Sequence, residues 1–423
     1  MKKLRVGLAG LGTVGKGVYD ILKKDASCIS AKTNTIIEIS AVANRSKKDF
    51  VDSKITFYAN VLDLAKDPNV DVVVEVMGGL DVAKELCFES LKNGKKFVTA
   101  NKALLAEFGC EVAKLAEEKN GHIGFEASTA GANPVIKNFR ESFTSNEITE
   151  FYAILNGTCN FILTKMFEEG LPYSETLKEA QKLGYAEANP TLDIKGIDTA
   201  HKLMILSTIA SQTKPDFKKL SIEGVDEVAL EDVKLAKELG YKIKILAVFK
   251  KNGDKIFRAV YPALVKKSEK IAQVDGPFNA VLVNTSNASW NFSVGRGAGG
   301  LTTGSAVVAD LIDIAHNRTL PLFGVNYSQL SEAKLVELDQ RQGKYFIRLT
   351  LDKNNAQKGD LAKAVFGDKI KITQASFIDG GEEIIAGFLT DVQSESEIKS
   401  TISKTDQSLV KFAKFMRVEE TNF

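Results

Sequence analysis

Apolar and polar positions in the first third of the chain switch repeatedly between two periods, and the switching predicts a fold. Leu4-Arg-Val-Gly-Leu-Ala-Gly10 is a near-continuous apolar run, as in a strand buried on both faces of a parallel sheet. Val14, Val18, Ile21 and Leu22 then recur at helical spacing. Further apolar runs at 36–43 and 71–78 predict strands, and a helix over 82–91 follows with Gly94 placed to close it. Residues 96–100 and 122–127 predict two more strands around a helix from Ala103 to Gly121. Repeated strand–helix units imply a parallel sheet with right-handed crossovers. Ligands of such sheets bind beyond the carboxyl ends of the strands. Gly78, Gly79, Thr99, Lys102 and Glu126 fall along that rim.

From Pro134 the pattern changes to mixed α+β. A helix (135–143), a strand (147–154) and the turn Asn156-Gly-Thr-Cys-Asn160 precede an apolar stretch at 161–167. Later strands are predicted at 242–249, 256–261 and 280–284. Gly295-Arg-Gly-Ala-Gly-Gly300 is a glycine-rich loop before an apolar helix at 306–315, readable as a phosphate cradle or as a hinge. A polar stretch at 326–343 reads as a linker. An alternating strand at 345–351 then opens a helix, strand, strand, helix series, the βαββαβ order of a small ferredoxin-like domain.

The chemistry begins with Gly10-Leu-Gly12-Thr-Val-Gly15 between the first strand and the first helix. Gly10 allows the tight turn, Gly12 lets a pyrophosphate approach, and Gly15 lets helix and strand pack closely. The diphosphate then sits at the helix N-terminus, on the backbone of Leu11, Thr13 and Val14. A site selective for NAD places Asp or Glu at the end of the second strand. This chain has Asn44-Arg-Ser-Lys-Lys48 there. Arg45 suits adenine stacking and a 2′-phosphate, where the plainer account is a solvated basic turn. NADP(H) is therefore the expected cofactor, with NAD(H) as the alternative.

The segment from Gly184 to Lys202 sets Glu187, Asp193, Asp198 and Lys202 beside the turn signals Asn189-Pro190 and Gly196, at the start of an apolar helix. A helix beginning near Ile197 carries Asp198 and Lys202 on one face. A carboxylate and an amine so placed can orient and protonate a small polar substrate. An ordinary ion pair on a solvated face is the competing account. Lys102, just past a strand end, is by default a surface lysine.

Bulk properties narrow the class. A chain of 423 residues is too long for one core and predicts two or three domains. Lys+Arg 56 against Asp+Glu 54 gives no reason to expect a nucleic-acid or membrane partner. No apolar run approaches the ~18 residues that span a bilayer. The N-terminus enters a strand directly, unlike a signal peptide. Cys28, Cys87, Cys110 and Cys159 lack CxxC spacing and do not group with His122, His201 and His316, which argues against structural zinc or disulfides. A cytoplasmic protein with reduced thiols is expected.

Together these residues resemble the homoserine dehydrogenases, the bacterial type with an appended ACT-like domain, over nearly the whole chain. The resemblance rests on the glycine fingerprint, Thr99-Ala-Asn-Lys102, Phe125-Glu-Ala-Ser-Thr-Ala-Gly131, Asn156-Gly-Thr-Cys-Asn-Phe-Ile162 and, most specifically, the segment 184–202. It implies NAD(P)-dependent interconversion of L-aspartate 4-semialdehyde and L-homoserine, in threonine, methionine and isoleucine biosynthesis. Lys202 would be the general acid/base on the substrate oxygen, and Lys102 would lie between cofactor and substrate. Glu187 and Asp198, with Gly157 and Thr158, would bind the substrate. Gly78, Gly79, Thr99, Lys102, Gly297 and Gly299 would join Arg45 and the fingerprint at the cofactor. Sodium would sit on the loop of Glu126, Thr129, Gly131 and Asn133, mostly through backbone carbonyls.

The implied architecture is α/β. A Rossmann-type NAD(P)-binding domain covers residues 1–133, completed by about 295–325. A catalytic substrate-binding and dimerisation domain covers 134–294, the linker 326–343, and an ACT-like regulatory domain 344–423. A homodimer or homotetramer is expected, with L-threonine as an effector. The chain departs from the family at Gly131-Ala-Asn-Pro134, at Arg296 where proline is usual, and at Lys358-Gly-Asp-Leu361, a loose match to the amino-acid-binding turn. Every catalytic candidate precedes residue 344, so a chain ending at Gly343 is expected to keep activity. Two other classes fit parts of the pattern: another NADP-dependent hydroxy-acid or amino-acid dehydrogenase, and a non-catalytic NADP-binding amino-acid sensor. Formation of NADPH from L-homoserine separates the three.

Overall fold

Parallel strands form where the apolar runs predict them. The computed structural model describes residues 1–353, 361–367, 369–421 and 423. These form two units, one of Met1–Thr149, His201–Leu220 and Asn284–Ala333, the other of Glu150–Ala200, Ser221–Val283 and Lys334–Phe423.

The first unit contains strands β1 (Lys2–Ala9), β2 (Thr35–Ala43), β3 (Thr56–Tyr58), β4 (Val72–Glu75), β5 (Lys96–Thr99) and β6 (Ile123–Gly124). Their order is β3-β2-β1-β4-β5-β6, and every pair is parallel. This is the doubly wound arrangement, with its switch point between β1 and β4. The loops leaving those two strands are the ones that carry Gly10–Gly15 and Gly78-Gly79. Val6, Leu8, Val72, Val74 and Val98 of the sheet pack against Val18 and Leu22 of the helix Thr13–Lys24 and against Val307 and Leu311 of the helix Gly300–Ala315. The late apolar helix therefore belongs to this core. The helix Asp81–Lys92 closes as expected: Gly94 has φ +70°, its N–H reaches the Leu91 carbonyl, and the Lys95 N–H reaches Ser90.

Two local expectations change. The strand predicted at 122–127 ends at Gly124, and Glu126–Ser128 forms a tight 3-10 turn. Glu126 pulls the backbone in: its N–H donates to Asp310 and its carboxylate accepts the N–H groups of Ile136 and Lys137. The turn expected at 156–160 is a helix start instead, because the Asn156 side chain caps the helix Gly157–Glu169 by accepting the Cys159 N–H at 2.8 Å.

The second unit is built on a sheet whose strands run in the order Phe278–Thr285, Ile148–Ile154, Tyr241–Asn252, Lys255–Lys266, Val410–Glu419, Tyr345–Asp352, Glu383–Thr390 and Ile372–Asp379. The last four, with the helices Leu361–Phe366 and Glu395–Ile402, give the expected βαββαβ series. Within that series neighbouring strands are antiparallel. Its final strand also pairs in parallel with Lys255–Lys266, so this domain extends the central sheet. Lys334–Leu335, in the stretch read as a linker, pairs with the same central strand. Lys358, Gly359 and Asp360 lie outside the described residues.

Candidate active site

In the first unit, the loop after β1 is shaped by what its glycines omit. Gly10 has φ +97°, and a Cβ there would lie 2.8 Å from the Val76 carbonyl oxygen. A Cβ on Gly15 would fall 2.0 Å from the Gly10 oxygen, so the helix Thr13–Lys24 starts in backbone contact with the turn. A Cβ on Gly12 would meet nothing within 4 Å, which leaves open approach to the first-turn N–H groups near Leu11, Thr13 and Val14. No side chain caps this helix. Asn44, at the end of β2, accepts the Leu11 N–H at 3.4 Å, and the next residue, Arg45, is exposed. The residues present fit a dinucleotide.

The second glycine loop meets the first. A Cβ on Gly17 would lie 2.1 Å from the Gly300 oxygen, and one on Gly300 would lie 2.8 Å from the Thr13 oxygen. Gly299 precedes the helix Gly300–Ala315 with φ +133°, open to glycine alone. Gly297 lies against the loop expected to hold a cation: a Cβ on Gly131 would fall 2.6 Å from its oxygen.

Beyond β4 and β5 a polar network positions the other candidates. Glu75 is buried, accepting the Thr99 hydroxyl at 2.6 Å and the Met77 N–H at 2.8 Å. Burial raises the Glu75 carboxyl above its ordinary range, against the pull of these donors. Asn101 donates to the Gly79 carbonyl at 2.6 Å, and its side-chain oxygen caps the helix Lys102–Glu118 through the Leu104 N–H. Gly78-Gly79, Thr99 and Lys102 are thus one connected structure. Lys102 is the first residue of that helix, where the macrodipole disfavours a cation, so helix stability does not explain its choice. His201 Nε2 lies 3.2 Å from Glu107, which joins this helix to Ile197–Ser211, the helix of Lys202.

At the expected cation loop, Glu126 does not stand on the open rim. It is 2% exposed, its carboxylate holds two N–H groups, and burial pushes it up to about 7. Asp310, fully enclosed beside it, is raised well above the usual carboxylate range, also by burial. Thr129 and Asn133 are buried, and Ala130 and Gly131 both have positive φ.

In the second unit, the Asn156 amide donates to Asp193 at 2.8 Å and to Asp198 at 2.9 Å. One side chain therefore caps a helix and holds two carboxylates together. Asn156 was not among the expected site residues, although Asn ahead of Gly-Thr is a readable cap signal. The Thr158 hydroxyl donates to the Tyr185 carbonyl at 2.5 Å, tying down the loop that carries exposed Glu187. Gly157 lets its helix approach Pro277, whose oxygen would be 3.0 Å from a Cβ. Thr158 and Gly157 are thus engaged with protein. Gly196, with φ +78°, turns the chain into the helix of Asp198.

A doubly wound parallel sheet with an uncapped helix start behind an open glycine defines a dinucleotide-binding fold. Known proteins narrow this further. Residues 134–312 match the family model described as homoserine dehydrogenase, and residues 10–126 match its NAD-binding domain. The chain is 39% identical over 414 residues to the homoserine dehydrogenase of Neisseria gonorrhoeae, covering 95% of each. A crystal structure of a homoserine dehydrogenase from Thiobacillus denitrificans superposes with a TM-score of 0.92 at 36% identity, covering 99% of both chains. A hyperthermophilic archaeal homoserine dehydrogenase in complex with NADPH has a TM-score of 0.64 at 26% identity, over 75% of this chain and 98% of that one. The chain belongs to the homoserine dehydrogenase family. No described helix is long and apolar enough to cross a membrane.

The buried Glu126 predicts a pH dependence of folding. Its folded value, about 7, exceeds the ordinary 4.5, so the folded protein retains a proton that the unfolded chain releases. Stability from this group is full below its unfolded value and is lost as pH rises through about 7, by up to roughly 3 kcal/mol. Asp310 acts in the same direction. Denaturant unfolding from pH 4.5 to 8 should show this loss, and Glu126→Gln should shrink it; an unchanged slope in the variant would reject the assignment.

Proposed function

We propose that the chain reduces L-aspartate 4-semialdehyde with NADPH, and oxidises L-homoserine with NADP⁺, through two lysines and two acids. Lys202 gives a proton to the substrate oxygen in reduction and takes it back in oxidation. Lys102, fixed by the Asn101 cap, binds substrate beside the dinucleotide and supports the developing negative charge. Asp198 and Glu187 hold the substrate ammonium. Gly157 and Thr158 shape the pocket through backbone and loop contacts. When bound, the dinucleotide supplies or accepts the hydride. The observation that carries the reading is Asp198, held beside Asp193 by Asn156, on the helix that also bears Lys202.

NADP(H) is preferred over NAD(H), because Arg45 stands where an acidic ribose ligand would. The archaeal relative's NADPH supports this reading. The Rossmann part is residues 1–133 with about 295–325, and 134–294 serve substrate binding and dimerisation. Sodium would rest on backbone carbonyls of the 129–133 loop, since the Glu126 carboxylate is engaged elsewhere. The protein works in the cytoplasm as a homodimer or homotetramer. Residues 344–423, joined through 326–343, act as an ACT-like domain that takes L-threonine. The strand Ile372–Asp379, last in its sheet and with Phe377 55% exposed, supplies an edge for assembly.

Lys202→Ala should lower kcat for L-homoserine oxidation by roughly 10²–10⁴-fold while NADP⁺ affinity stays near wild type. Near wild-type turnover in that variant would return Lys202 to a surface ion pair. Arg45→Ala should weaken NADP⁺ binding and leave NAD⁺ nearly unaffected; equal losses would make Arg45 a fold residue. Light scattering should give a mass of two or four chains, altered or inhibited in activity by L-threonine; a monomer indifferent to threonine would refute both halves.

A further inference from the structure

The last strand, Val410–Glu419, places Arg417 opposite Ala263 of the central sheet. Arg417 is 2% exposed and engages two carboxylates at once. Nε and Nη2 donate to the two oxygens of Glu395 at 2.7 Å, and Nη1 and Nη2 donate to those of Glu223 at 2.8 Å. The guanidinium also lies 4.5 Å over the Tyr261 ring. Fork-to-fork pairing on two sides fixes the plane of the guanidinium and the position of each acid.

Glu395 opens a helix of the same C-terminal domain, so that pair is internal to it. Glu223 belongs elsewhere in the fold, on the short loop that grips the turn carrying Asp193. Its own N–H donates to the Val260 carbonyl, and the Val225 N–H donates to Ile194 at 2.8 Å. Gly224 has room for hydrogen alone, since a Cβ would lie 2.1 Å from the Ile194 oxygen. Lys195 Nζ reaches Asp226 at 2.7 Å. On the other side of that turn, Asp193 and Asp198 accept the Asn156 amide.

We infer that Arg417 and Glu223 are positioning residues for the substrate site: through residues 223–226 they set where the turn at Ile194–Gly196 presents Asp193 and Asp198. The inference rests on the proposed reading of Asp198 as a ligand of the substrate ammonium. A displacement of about 1 Å in such a site is enough to weaken productive binding strongly. The inference also adds to the expectation for a chain ending at Gly343: lacking Arg417, that chain should show a raised KM for homoserine.

The test uses the full-length enzyme, with L-homoserine varied at saturating NADP⁺ and NADP⁺ varied at saturating homoserine. Glu223 is half exposed, so Glu223→Gln changes one charge without opening a cavity. It should raise KM for homoserine about tenfold and leave KM for NADP⁺ within about twofold. Arg417→Met should match or exceed that effect, Arg417→Lys should restore part of it, and the double variant Glu223→Gln/Arg417→Met should add little to Arg417→Met alone. An unchanged homoserine KM in Glu223→Gln, even with lower thermal stability, overturns the inference; so does an equal rise in both KM values. Asp198→Asn is measured alongside. If it leaves the homoserine KM unchanged, the site reading fails and the inference falls with it. If it raises that KM while Glu223→Gln does not, the positioning role alone fails.

Discussion

Backbone lies directly on backbone where the two glycine loops of the first unit meet, and its nucleotide end depends on that contact. Gly17 faces Gly300 and Gly304 faces Gly17 at separations where a Cβ would stand 2.1 and 2.9 Å from main-chain atoms. Only hydrogen fits, so the helices Thr13–Lys24 and Gly300–Ala315 approach more closely than any side chain would allow. Their N-terminal ends meet, with Gly300 against Thr13. Two helix starts then direct their partial positive charge toward the same place, which favours an anionic cofactor there. The second glycine loop thus acts as a packing surface for the first, an outcome that its composition alone left open between a cradle and a hinge.

The pair of acids in the second unit rests on a different principle. Two carboxylates drawn together repel, and burying either without partners is costly. Asn156 answers both problems with one amide, donating to Asp193 and Asp198 while its oxygen caps a helix. The amide thus fixes the spacing of the two acids and the start of the helix Gly157–Glu169 together.

Features encoded in neighbouring residues were the legible ones. Apolar period and punctuating glycines revealed the parallel sheet, the fingerprint, the closure at Gly94 and the βαββαβ series, because each is decided within about ten residues. Partnerships across long separations were hidden. Asn156 meets its acids 37 and 42 residues away, and Arg417 meets Glu223 at 194. Glu126 misled for a related reason: its apolar neighbours predicted a strand, but its carboxylate bonds across to Ile136 and Lys137 and coils the chain. The acid in the apolar run of β4 was a signal in plain view. A glutamate in such a run needs partners, and Glu75 has them in Thr99 and Met77.

Charge also decides how the C-terminal domain is held. Glu419, 1% exposed, receives the Tyr261 hydroxyl at 2.7 Å, Lys250 at 2.8 Å and Arg341 at 2.8 Å. Burial opposes its ionisation, yet Arg341 and Lys250 hold its carboxyl well below the usual range. Such a group tolerates no slip: moving the last strand along Lys255–Lys266 would separate it from all three partners and leave a buried charge uncompensated. The register of the two strands is thus set by charge as well as by side-chain alternation. Any ligand of this domain can alter catalysis only through a contact that differs in free energy between two arrangements. The Glu419 cluster is too deeply committed to provide one. The pair of Arg417 with half-exposed Glu223 is the more yielding link, because water can take over one side of the carboxylate when the other lets go.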